Sequence, residues 1–219
     1  MLETVNKHMA KISLAMQEGD SIREISRKTG SSYGWIYKWI KKLEELEIVE
    51  TTSKGIHLID RETIDRFKEL SRSILSKKID LEDAYLLPNF SGMKYAYTKT
   101  DAVWIWTKGG YQIGRSRENY PLFIKILEKD LNKWRNFFKQ YSIECKVNER
   151  AEKGIHFVLS PEKEFKREKE GKYSVIPLQE TVEWAEKHKH SFQPALEMLK
   201  EMHDLDIDVE YREREKIKA

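Results

Sequence analysis

Cysteine is all but missing: Cys145 stands alone in 219 residues. A single thiol excludes an internal disulfide and a cysteine-based zinc site. No apolar run is long enough to cross a bilayer, and the opening MLETVNKHMAKISLAMQ is amphipathic and interrupted by Lys7 and Lys11, unlike a secretory leader. These absences predict a soluble, cytoplasmic protein. Excess charge is small as well, +3 over the chain, too little for the whole surface to attract nucleic acid. Gly-x-Gly-x-x-Gly and Walker signatures are missing, so no common dinucleotide or phosphate loop is written in the chain. No internal repeat is visible.

The length suits one large or two small domains. Charged residues make up 35%, mostly Lys and Glu with few Gln, a composition that leans toward a heat-adapted source. The most informative stretch runs from Ser21 to Ile59. Ser21 is a candidate N-cap, Ile22 and Ile25 give a short helix an apolar edge, and Gly30 after Thr29 breaks it. A second helix starts near Ser31 or Ser32, with Ile36, Ile40 and Leu43 as its buried stripe. Val49 to Thr52 and Ile56 to Ile59 then flank Ser53-Lys54-Gly55, which reads as a hairpin turn. Charge gathers here. Residues 21–42 hold Arg23, Arg27, Lys28, Lys38, Lys41 and Lys42 against Glu24 alone, six minus one, a local +5. Glu44, Glu45, Glu47 and Glu50 mark its edge.

Helix, turn, helix and hairpin in this order resemble the winged helix-turn-helix of bacterial and archaeal regulators, over about a quarter of the chain. The resemblance implies that residues 31–46 enter the major groove of double-stranded DNA while the wing, 48–59, follows the backbone. Lys38, Lys41 and Lys42, with Arg23 or Arg27 and Lys54, are then expected at phosphates. Ser32, Tyr33 and Trp35 are expected at base edges or thymine methyls, with Ser31 and Tyr37 beside them on the same interface. Winged helices also serve as protein-interaction modules, which is the competing expectation.

Around this stretch, residues 4–18 read as a helix with Val5, Met9, Ile12 and Met16 on one side, ended by Gly19-Asp20. Asp60 caps a helix from Arg61 to about Ser76, striped by Ile64, Phe67, Leu70, Ile74 and Leu75. Such a helix either pairs two subunits of a homodimer or packs within its own domain. The reading is α+β: a winged domain over 1–78, a mixed α/β domain over 79–208, and a charged tail over 209–219.

In the second domain 25 basic residues balance 25 acidic ones over 79–219, which gives this half no general affinity for nucleic acid. Ala102 to Trp106, closed by Lys108-Gly109-Gly110, reads best as a strand; a short helix capped by Thr98 or Thr100 is the rival. Further strands are expected at Tyr120–Leu127, Ile143–Val147, Ile155–Leu159 and Tyr173–Ile176. Helices are expected at 128–141, 178–189 and 192–202, the last with Pro194 in its first turn, and a loop at 162–172.

Strand, Gly109-Gly110, Gly114 and a strand opening at Asn119 resemble the nucleotidyltransferase fold, whose strand-Gly-Ser turn precedes an Asp-x-Asp strand. Here Tyr120 and Leu122 occupy the carboxylate places, and neither can ligate magnesium. A winged helix ahead of such a catalytically blank domain resembles the AbiE-type antitoxin regulators, which act beside nucleotidyltransferase toxins, and implies such a toxin as a protein partner. The competing class is an active nucleotidyltransferase whose metal carboxylates come from Asp101, Glu118 or Asp130. No catalytic residue, metal or cofactor is assigned: His188 and His190 lack a third ligand, Cys145 reads as an inert thiol, and Trp104, Trp106, Trp134 and Phe137 read as core. Arg115 and Arg117 are expected at solvent or an interface.

Overall fold

The computed structural model describes residues 7–77, 79–116 and 118–209, with the side chain of Lys7 excepted. Val5, Lys78, Arg117 and the tail beyond 209 lie outside the described residues.

Three helices come first. Helix α1 (Lys7–Ala15) buries Met9, Ile12, Leu14 and Ala15, so the expected stripe is its core face. Helix α2 (Ile22–Thr29) buries Ile25, and α3 (Tyr33–Glu45) buries Ile36, Trp39, Ile40 and Leu43. Strands β1 (Val49–Thr52) and β2 (Gly55–Leu58) pair antiparallel, Thr52 opposite Gly55. Helix α4 (Arg61–Leu75), capped by Asp60 accepting from the Thr63 amide, packs on α1 and buries Ile64. Part of its expected stripe is not covered: Leu70 and Ile74 are 49% and 58% exposed.

Helix α5 (Leu81–Phe90), which the periodicity does not predict, packs against α1 and α2 and carries the apolar core onward past residue 78. Asp80 caps it by accepting from the Asp83 amide, and Asp83 pairs with Lys11 of α1 at 2.6 Å. From Asp83 to Phe90 every residue is buried, so no polar face survives to betray a helix.

A six-stranded mixed sheet follows: β3 (Tyr95–Tyr97), β4 (Asn119–Leu127), β5 (Glu144–Val147), β6 (Gly154–Glu162), β7 (Glu168–Glu170) and β8 (Tyr173–Val175), in the order β5-β6-β4-β3-β8-β7. The β3–β4 and β7–β8 pairs are antiparallel and the other three parallel. Four helices cross or cover it: α6 (Lys99–Trp106), α7 (Leu131–Lys139, entered through a 3-10 turn at Glu128–Asp130), α8 (Leu178–Lys187) and α9 (Lys189–His203). The architecture is α+β, as expected.

Three expectations are corrected. Ala102 to Trp106 is not a strand but the body of α6; the run is apolar because α6 is buried nearly all round, and continuous burial looks alike in a helix and a strand. The stretch 162–172 is not only a loop, since it holds β7. Pro194 sits in the second turn of α9 rather than the first. Strand β3, three residues long and wholly buried, is a further element not expected from the pattern.

Candidate nucleic-acid interface

The interface is assembled from two capped helices. At the start of α2, the Ser21 hydroxyl accepts from the Glu24 amide at 3.2 Å and the Ser21 amide donates to Glu24 Oε2 at 2.8 Å, a reciprocal capping box. The Ser21 amide and hydroxyl hold the Glu24 carboxyl below its usual range. Gly30 ends the helix in the left-handed region, φ 69°, where a side chain would be strained. Ser32 then caps α3 by accepting from the Trp35 amide at 3.4 Å.

Because α3 buries Ile36, Trp39, Ile40 and Leu43, its opposite face must carry what lies between them. Ser32, Tyr33, Gly34, Tyr37, Lys38 and Lys41 are all exposed. Tyr33 and Tyr37, one turn apart, stack with ring centroids 6.3 Å apart and form an aromatic ridge. Lys41 reaches over Tyr37 (5.7 Å) and pairs with Glu44 at 2.6 Å, which pushes its ammonium up. Glu44 also accepts from the Thr51 amide at 2.8 Å, tying the end of α3 to β1.

The β1–β2 hairpin is fixed beside this ridge by backbone bonds to the α1–α2 connection. The Gly19 amide donates to the Ile56 carbonyl, and the Ile56 amide to the Asp20 carbonyl, both at 2.9 Å. Gly55 makes the approach feasible: at φ 112°, an added Cβ would lie 2.2 Å from the Gly19 carbonyl oxygen. Asp20 is held by Lys28 at 2.7 Å and by the Gln17 amide at 2.8 Å. The result is an open groove of about 380 Å³ lined by Arg23, Tyr33 and Thr51 to Ser53, with exposed Lys54 at the turn.

Not every expected residue lies here. Trp35 turns inward, edge-on to His8 (5.1 Å) and Trp39 (6.0 Å), with its indole nitrogen buried. Its ring is half-buried, and the indole N–H is not offered at the surface. Lys42 lies half-buried over Trp39 at 4.6 Å, and Ser31 spends its carbonyl on the Ser26 hydroxyl at 2.6 Å. Arg27 is half-buried at the far end of α2 from Arg23. Lys28, counted in the basic patch, is spent on Asp20.

The second half holds a different constellation. Asp101, fully buried on α6, accepts from Arg115 at 2.8 Å, from the Tyr85 hydroxyl at 2.5 Å and from the Phe123 amide at 2.7 Å. Arg115 also donates to the Pro121 carbonyl at 2.7 Å and stacks on Tyr120 at 4.3 Å. Burial opposes its charge, but Asp101 and the nearby tyrosines outweigh that and push the guanidinium up. Burial and Asp101 likewise push the Tyr85 hydroxyl up. Arg115 is therefore at neither solvent nor an interface; it neutralises a carboxylate inside the core.

The nucleotidyltransferase spacing loses its footing as well, because Gly109-Gly110 follow a helix rather than a strand. Tyr120 and Leu122 are buried in β4. Asp101 is enclosed by its partners, Glu118 is exposed, and Asp130 pairs with Lys133 at 3.0 Å. Among the described residues no three His, Cys, Asp or Glu side chains gather as a metal site, and no helix is long and apolar enough to cross a membrane. His188 stacks on Trp184 (4.3 Å) and bonds its carbonyl, and burial pushes the half-buried Cys145 thiol up. Compared with known protein families, curated proteins and solved structures, the chain matches none.

Proposed function

We propose that the chain is a DNA-binding transcriptional regulator whose first region is a winged helix-turn-helix, α3 being the recognition helix and β1–β2 the wing. The observation that carries this reading is the division of α3: an apolar face locked in the core, and an exposed face of Ser32, Tyr33, Tyr37, Lys38 and Lys41 beside a docked, lysine-tipped hairpin. A helix presenting hydroxyls, aromatic rims and ammonium groups on one convex face fits a major groove, where ammonium groups meet phosphates and the shorter polar groups meet base edges. Residues 79–209 then form a region for an effector or a protein partner.

Lys38→Ala should weaken binding to all duplex sequences alike and flatten the log–log salt dependence by about 1, the effect of one lost phosphate contact. Tyr33→Ala should instead narrow the gap between a specific site and random duplex. Titration of both variants against both duplexes over a salt series checks this, and equal losses on every sequence from both changes would refute the division of roles.

A second copy of the chain is the partner proposed for α4. Leu70 and Ile74 are its exposed apolar residues and border a mostly apolar cavity of about 350 Å³, with Phe67, Leu75, Leu87 and Phe90 in its wall. Leu70→Glu with Ile74→Glu should convert a dimer to a monomer in sedimentation velocity. A wild-type protein that sediments as a monomer at every concentration would contradict the pairing.

A further inference from the structure

The end of α2 remote from the wing has its own basic surface, and it comes from the half of the chain whose overall charge is balanced. The hairpin β7–β8 lies against the α2–α3 turn. The Asn89 side-chain amide donates to the Lys28 carbonyl at 3.2 Å and to the Lys172 carbonyl at 2.9 Å, so one residue of α5 joins the hairpin to α2. The stem of Lys172 passes directly over Gly30, where an added Cβ would meet its Cδ at 2.8 Å.

Strand alternation sorts the charges of this hairpin. Lys169 pairs with Ser174 across the two strands, on the opposite face from Glu168 and Glu170, and donates to the Ser174 hydroxyl at 2.6 Å. Arg167 immediately precedes the strand and is close enough to act on Lys169. The charges that bear most on Lys169 are those of Arg27, Arg167 and Lys28, all positive. Lys28 is already neutralised by Asp20, which leaves Arg27, Arg167 and Lys169 as a cluster of one sign.

Resting on the duplex-binding reading above, we infer that β7–β8 is a second backbone clamp: Arg167 and Lys169, with Arg27, hold DNA phosphates beside the α2–α3 turn, at the opposite end of α2 from the wing. Like charges placed together repel, and a phosphodiester chain supplies a row of anions that relieves this. The protonation of Lys169 then reports the contact. Burial first, then Arg27, Arg167 and Lys28, lower its ammonium to about 8, while the Ser174 hydroxyl is its hydrogen-bond acceptor. Phosphate favours the charged form, so binding takes up a proton and affinity falls as pH rises through that value.

The test uses the full chain and a mixed-sequence duplex. Arg167→Gln with Lys169→Gln should flatten the log–log salt slope by about 1.8, two contacts at about 0.9 each. Lys169→Arg should keep the slope but remove the loss of affinity between about pH 7 and about pH 9, since a guanidinium does not titrate there. The Gln pair relieves like-charge repulsion and Lys169→Arg conserves the charge, and an unchanged thermal midpoint confirms folding. A wild-type slope in the Gln pair, while Lys38→Ala flattens it, overturns the clamp and leaves the recognition helix standing. Absence of duplex binding by the wild-type chain overturns both.

Discussion

Replacing Asp101 by Ala is expected to destabilise the protein by about 3–5 kcal/mol, because it strands the Arg115 guanidinium in the core. The side chain of Arg115 is 7% exposed, too little for water to replace the lost carboxylate. The Tyr85 hydroxyl and the Phe123 amide lose their acceptor in the same step, each buried donor adding to the cost. For a chain of this size that is a fall in thermal midpoint on the order of 6–20 °C. Arg115→Leu alone should be nearly as damaging, since it leaves Asp101 buried and ionisable with only two neutral donors. The two changes together should cost clearly less than their sum. Additive losses, read from thermal or urea unfolding, would show that the pair is not the unit that stabilises this core. The damage reaches the interface because Tyr85 lies on α5, which packs against α1 and α2.

Gly55→Val is expected to undock the β1–β2 hairpin. The left-handed φ of 112° costs a β-branched residue about 1–2 kcal/mol by itself. The added carbon atoms also meet the Gly19 carbonyl, which is backbone and cannot rotate away. Relief requires opening the two Gly19–Ile56 and Ile56–Asp20 hydrogen bonds, about 1 kcal/mol each. A loss of roughly 3–4 kcal/mol follows, together with weaker duplex binding through displaced Lys54. Hydrogen exchange should show the Gly19 and Ile56 amides exposed while those of α3 stay protected. Wild-type protection at both amides would mean that the hairpin tolerates the side chain and that the close approach is not what positions it.

How much of this could be read from the chain follows from where each signal is stored. Caps and turns are local, so Ser21, Gly30, Ser32 and Asp60 mark their helices from sequence alone. The buried stripe of α3 is local too, and it correctly leaves Tyr33, Tyr37, Lys38 and Lys41 outside. What fails is whatever burial on all sides erases. Helix α5, strand β3 and helix α6 have no polar face, so periodicity is silent for the first two and wrong for the third. Side-chain direction fails for a related reason: Trp35 and Arg115 are polar at one edge, and only their tertiary neighbours draw them inward. Arg27 and Lys169 lie 142 positions apart in sequence, so no count along the chain brings their charges together. The proximity of these cations is written only in the fold.

Duplex binding by the wild-type chain is the most direct test of all this. The purified protein would be titrated against DNA flanking its own reading frame and against random duplex, across a salt series. Regulation through α3 predicts tighter binding to the flanking DNA, with affinity falling steeply as salt rises, by about 0.9 in log–log slope per phosphate contacted. Equal binding to both duplexes, or none to either, would contradict it and move the exposed face of α3 from DNA to a protein partner.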